Sequence, residues 1–140
     1  MRNSGLGALA FALVATVACN NGSTTPVLAP ATNIETFTGT VPFLDTHNGA
    51  DFHNFAVAQT GTVSVTLTAA GPPATITEGL AVGTPSSSTC SVPPGNATLA
   101  VAGTIAQLSG TLNTGTYCVE VFDVGNQLVD ITYSVTVAHP

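Results

Sequence analysis

From residue 34 to residue 140, apolar and polar side chains alternate in short runs. Thr62-Val63-Ser64-Val65-Thr66-Leu67-Thr68 alternates without a break, so Val63, Val65 and Leu67 share one face and hydroxyls take the other. Residues 129–137 (VDITYSVTV) repeat the pattern over a longer stretch. Residues 115–122 (GTYCVEVF) send Tyr117, Val119 and Val121 to one face, predicted inward, and Cys118, Glu120 and Phe122 to the other. Weaker strands are read at Glu35–Val41, Asp51–Val57, Thr75–Val82, Leu99–Ala102 and Ile105–Leu108. Turn-forming residues separate them: Asn48-Gly49, Gly71-Pro72-Pro73, Pro93-Pro94-Gly95-Asn96, Gly103, Asn113-Thr114-Gly115 and Gly125-Asn126. No window carries a helical period with caps, and no repeat has a solenoid or propeller length. Threonine is the commonest polar residue, with 23 copies, and suits an exposed pleated surface without charge. The pattern predicts an all-β chain. Its core is one antiparallel β-sandwich of jelly-roll or immunoglobulin-like type, with seven or eight strands, over residues 34–140.

The first residues read differently. Met1-Arg2 leads into an uncharged, mostly apolar run from Gly5 to Ala18. Fourteen residues of helix at about 1.5 Å each reach about 21 Å, short of the roughly 30 Å hydrocarbon core of a bilayer. An export signal fits that length better than a spanning helix. The run closes on Thr16-Val17-Ala18-Cys19, which resembles the lipobox of bacterial lipoproteins, with Thr16 standing where that family usually has Leu. The resemblance implies cleavage before Cys19 and acylation of that residue as the new N-terminus. It divides the chain into a lipoprotein signal peptide (1–18), a lipidated cysteine with a flexible linker (19–33) and the sandwich domain (34–140). The linker is polar, carries Pro26 and Pro30 and shows no period. As a coil it reaches roughly 20 Å. Asn20 follows the cysteine where Asp typically retains such proteins at the inner membrane, which implies sorting to the outer membrane.

Three cysteines are present, Cys19, Cys90 and Cys118. An odd number in an exported chain leaves one thiol to account for. With lipid on Cys19, Cys90 and Cys118 are free to form a disulfide in an oxidising compartment. The alternative is that both stay reduced and pack as small hydrophobes. Neither lies in a C-x-x-C or a zinc-like spacing.

The 140 residues are 44% hydrophobic and 6% charged, enough for one domain and too few for a second core. Seven Asp+Glu oppose one Lys+Arg, for a formal net charge of -6. Nothing is available to displace counterions from phosphates, which argues against nucleic acid and against anionic lipid head groups. The one cation, Arg2, lies in the signal. The mature chain holds Glu35, Asp45, Asp51, Glu78, Glu120, Asp123 and Asp130 with neither Lys nor Arg. Each carboxylate must be solvated, hydrogen-bonded, paired with a histidine or bound to a cation, because burying one unpaired costs several kcal/mol. All seven are expected on the surface.

Three stretches give the domain a resemblance to the bacterial pre-peptidase C-terminal domain. Gly49-Ala50-Asp51-Phe52-His53-Asn54-Phe55 is similar to that family's early D-x-x-x-F strand. Gly61-Thr62-Val63-Ser64-Val65-Thr66-Leu67 is similar to its G-x-V-x-V-x-L strand. Leu112 to Val121 (LNTGTYCVEV), followed by Ile131 to Val137 (ITYSVTV), is similar to its closing pair. The resemblance implies a small extracellular β-sandwich, here without an attached peptidase, acting as an accessory module. The middle departs: Thr77-Glu78-Gly79-Leu80-Ala81-Val82 stands where such domains often carry D-x-D-L-x-L, so a calcium site typical of relatives does not transfer. Within the closing motif, Gly115 permits a turn, and Tyr117 can bury its ring while its hydroxyl bonds loop backbone.

No G-x-S-x-G, H-E-x-x-H or phosphate-cradling loop is present. Ser86-Ser87-Ser88 has no neighbouring base, and no Lys exists to form a Schiff base. Spacing alone leaves room for paired carboxylates that hydrolyse sugars, but Trp is absent and aromatics are 6%, a poor platform for stacking a sugar in such a site. Asn96-Ala97-Thr98 matches a glycosylation acceptor, which a bacterial lipobox discounts. His139, beside Pro140, reads as a frayed end. One stretch gathers metal-ligand types: Asp45, His47, Asp51 and His53, with Asp51 and His53 on one strand face. The simpler reading of that stretch is a polar turn with solvated histidines. The sequence predicts a non-catalytic, exported, lipid-anchored sandwich without cofactor, a binding or structural module of the cell envelope. It would touch the membrane through its lipid. Its partner would be an envelope protein or polysaccharide, met through a hydroxyl-rich, acidic face or an open strand edge. The alternative is a calcium or zinc module on Asp45–His53, with or without hydrolytic chemistry.

Overall fold

A computed structural model describes residues 32–140; the signal, lipidation and linker readings for residues 1–31 lie outside the described residues. Nine strands follow one another: β1 (Asn33–Val41), β2 (Ala50–Val57), β3 (Gly61–Gly71), β4 (Thr77–Ser86), β5 (Thr89–Ser91), β6 (Ala97–Val101), β7 (Leu108–Leu112), β8 (Gly115–Phe122) and β9 (Ile131–His139). No helix occurs among the described residues. One sheet has the order β1-β9-β3-β7. The other runs β2-β8-β4, with β6 and β5 paired to successive parts of β4. All pairings are antiparallel. The chain changes sheet at every connection except those joining β4, β5 and β6. With the short β5 set aside, that winding is an eight-stranded jelly roll. The predicted sandwich is therefore the fold, with β5 as the strand not foreseen.

Alternation builds the core. Val63, Val65 and Leu67 of β3 and Ile131, Tyr133, Val135 and Val137 of β9 are buried against the other sheet. That sheet answers with Phe55 and Val57 of β2, Leu80 and Val82 of β4, and Val119 and Val121 of β8. Each fully buried Val or Leu side chain contributes about 1.5–3 kcal/mol as an upper estimate. Tyr117 packs on this core and its hydroxyl donates to the Asn113 carbonyl at 3.1 Å, closing the turn into β8.

The strand read at Ile105–Leu108 is displaced: the strand begins at Leu108, and Ile105 is 81% exposed. Gln107 takes the missing strand's place. Its side-chain Oε1 accepts from the Leu67 backbone N–H at 2.8 Å, and its own backbone N–H donates to the Val65 carbonyl at 3.1 Å. A side-chain amide thus continues the β7 edge past a bulge between Leu67 and Ala69. Two other strands start later than read, at Thr77 and at Ile131.

The hairpin of β4 and β5 curls over the outer face of its sheet. Gly83 permits this, because a Cβ there would meet the Ser91 carbonyl oxygen. The curl brings Cys90 to Cys118 of β8, and the two form a disulfide with Cα atoms 5.9 Å apart. Cys118, outward by alternation, is fully buried beneath this cover. Phe122 covers the same face further along, its ring lying on Gly79.

Candidate functional site

The sandwich has two ends. Asn33 pairs with His139 at one, and the loops at 42–49, 72–76 and 123–130 gather at the other. Chemistry-bearing side chains concentrate at the loop end. Asp123 follows β8 directly, and its backbone N–H donates to Gly49 at 2.8 Å, tying two loops together. Its Oδ1 accepts the backbone N–H groups of Gly125, Asn126 and Gln127 at 2.7, 3.2 and 3.3 Å. His47 donates from Nδ1 to Oδ2 at 3.1 Å. Burial pushes the Asp123 carboxyl up, but the bonds from Gly125, His47, Gln127 and Asn126 outweigh it and hold the carboxyl below its ordinary range.

Glu78 lies on the inward face of β4, two residues before Leu80, and is fully buried. Gln127, also fully buried, donates from Nε2 to Glu78 Oε2 at 2.8 Å. Glu78 Oε1 and Gln127 Oε1 have no partner. The expectation that all seven carboxylates sit on the surface thus fails at Glu78 and Asp123. The reason is that both find donors brought by the loop of residues 123–130.

The four candidate metal ligands are not brought together. Asp45 is exposed in the loop, while His47 is engaged with Asp123. Asp51 and His53 do share the inward face of β2, with His53 Nε2 3.8 Å from Asp51 Oδ2. Asp51 Oδ2 accepts the Tyr133 hydroxyl at 2.9 Å, and Gly39 leaves the room, since a Cβ there would meet that oxygen. Burial, then the bond to Asp51 and its charge, push the Tyr133 hydroxyl far up, so it stays a neutral donor. The His53 ring stacks on Phe37 at 5.1 Å between centroids. Among the described residues no three His, Cys, Asp or Glu side chains converge on a point that would hold a metal.

His139 is not frayed. It is 2% exposed and donates from Nε2 to Glu35 at 2.8 Å. A histidine–carboxylate pair therefore closes each end of the sandwich, Glu35–His139 at one and Asp123–His47 at the other. Sequence reasoning missed Glu78, Gln127, Asp123 and Tyr133 as members of these clusters. Only the Asp-x-Gly-Asn spacing at Asp123-Val124-Gly125-Asn126 signalled a carboxylate that caps its own turn.

The outer face of the β1-β9-β3-β7 sheet is a lattice of hydroxyls. It carries Thr36, Thr38 and Thr40 on β1, and Thr132, Ser134 and Thr136 on β9. Thr62, Ser64 and Thr66 follow on β3, and Ser109 and Thr111 on β7. The register aligns them: Thr36, Thr136 and Thr66 form one row, and Thr40 faces Thr132. Among the described residues no charged side chain lies on this face, because Glu35 points inward on β1. The expected hydroxyl-rich face exists, but it is neutral rather than acidic. At the open side of the same sheet, a cavity of about 140 Å3 is lined by Val63, Val65, Val82, Leu108 and Leu112. Gly110, between the two leucines, brings no side chain to fill it; a Cβ there would meet nothing within 4 Å.

Comparison with family models, with curated proteins and with solved structures finds no match to this chain.

Proposed function

We propose that this protein is an exported, lipid-anchored, non-catalytic module of the bacterial cell envelope, and that its neutral hydroxyl lattice binds an uncharged envelope polysaccharide. The lattice carries the proposal. Strands about 4.8 Å apart, with outward residues every second position, offer donors and acceptors in a regular array. A hydroxylated polymer repeats the same groups and is neither attracted nor repelled by charge. The Thr side chains are β-branched and lose little freedom on binding. The lipobox at Thr16–Cys19 and the Cys90–Cys118 disulfide support export. The strand motifs similar to pre-peptidase C-terminal domains support an accessory role. The sequence holds no G-x-S-x-G, H-E-x-x-H or phosphate-cradling motif, which supports a non-catalytic one.

Thr66→Val with Thr136→Val removes two central hydroxyls while keeping side-chain shape. Each net hydrogen bond is worth about 0.5–1.5 kcal/mol, so affinity for insoluble polysaccharide from the cell envelope is expected to fall roughly tenfold or more. Thermal stability should stay unchanged. Equal binding by the wild type and the double variant in a co-sedimentation assay would exclude the lattice as the binding surface.

A further inference from the structure

We propose that Glu78 and Gln127 form a proton-operated clasp that fastens the loop of residues 123–130 to the sheet. The two side chains are fully buried and joined by one hydrogen bond, from Gln127 Nε2 to Glu78 Oε2. That bond leaves one oxygen on each without a partner, and both are acceptors. A carboxylate cannot satisfy an amide oxygen. A carboxylic acid can. One proton on Glu78 Oε1 removes a buried charge and creates the donor that Gln127 Oε1 lacks. Acid and amide then exchange two hydrogen bonds. Loss of the proton leaves one bond and a buried negative charge.

The surroundings favour the proton. Asp123, at the end of β8, is the carboxylate whose charge acts on Glu78, and His47 from the β1–β2 loop is bonded to Asp123. The 72–76 connection and β6 bring no titratable group. From β2 and β9 come Asp51, which accepts the Tyr133 hydroxyl, and His53, whose Nε2 lies 3.8 Å from Asp51 Oδ2. Burial foremost, and then the charge of Asp123, push the Glu78 carboxyl up to about 6, against the pull of the Gln127 bond. The loop held by the clasp presents Leu128 and Val129, 82% and 51% exposed. The clasp therefore couples external pH to the ordering of an apolar loop. It rests on these residues alone and is independent of the polysaccharide reading.

The sign follows from linkage. Glu78 is neutral in both folded and unfolded chains below its ordinary value of 4.5. Between there and about 6 only the folded chain keeps the proton, so stability falls as pH rises through that window. The melting temperature of the wild type should drop by roughly 5–10 °C from pH 4.5 to pH 7.5 through this group. Glu78→Gln, which replaces the acid by a permanent amide donor, should melt higher than wild type at pH 7.5 and lose that part of the drop. Carbon-13 NMR of the wild-type Glu78 carboxyl should titrate with a midpoint near 6, and the Gly125–Gln127 amides should be better protected below it once exchange is corrected for the intrinsic pH dependence. A midpoint in the ordinary glutamate range, or a Glu78→Gln variant that melts below wild type at pH 7.5 with an unchanged pH dependence, overturns the clasp.

Discussion

Replacing Cys90 and Cys118 together with alanine is expected to lower the unfolding free energy by about 3–4 kcal/mol, the largest effect of any change away from the apolar core. The bridge closes a loop of sequence separation 28. In the chain-entropy treatment, that closure removes freedom chiefly from the unfolded chain. The folded side adds to it. β5 is three residues long and is held over Gly83 by the hairpin turn and this bridge. Without the bridge, Cys118, fully buried on the outer face, loses its partner there. Urea melts of the double variant and of the reduced wild type should both show the loss, and by similar amounts. A reduced wild type as stable as the oxidised one would mean that the bridge only decorates an already fixed hairpin.

Asp123→Ala should cost about 3 kcal/mol, because it strands several donors at once. Three backbone N–H groups and the His47 ring lose their acceptor. The Gln127 bond to Glu78 depends on the same loop. Asp123→Asn keeps an oxygen for the backbone and should cost about 1 kcal/mol. The pH dependence opposes that of Glu78. Asp123 is held below its ordinary value of 3.8, so its contribution is present above that value and is lost as pH falls through the lower folded value. Glu78 loses stability as pH rises above 4.5, and Glu120, pushed up by burial, adds to the same trend. The stability maximum should therefore lie at about pH 4–5. Chemical denaturation across pH, on wild type and Asp123→Ala, checks both the size of the loss and the position of the maximum.

What could be read from the sequence was whatever is satisfied locally. β3 and β9 announce themselves because one face is buried and the other wet, which imposes a period of two on Val and Thr. The Tyr117 hydroxyl was legible because its acceptor, Asn113, lies four residues away. The failures are non-local. Glu78 finds its donor 49 residues on, His47 its carboxylate 76 residues on, and His139 its partner 104 residues back. No local pattern carries those pairings. β5 escaped because Thr89-Cys90-Ser91 has no alternation of its own and exists through the curl over Gly83. Ile105 to Leu108 imitated a strand because Gln107 serves as one through its side chain. The hydroxyl face was legible in composition and its neutrality was not, since that depends on which way Glu35 points.

Intact-mass and peptide mass spectrometry on the protein extracted from the membranes of its own cells addresses the central proposal directly. The predicted species begins at an acylated Cys19 and carries one internal disulfide between the two remaining cysteines. An unprocessed chain recovered from the cytosol, starting at Met1 with three free thiols, contradicts export, anchoring and oxidation together.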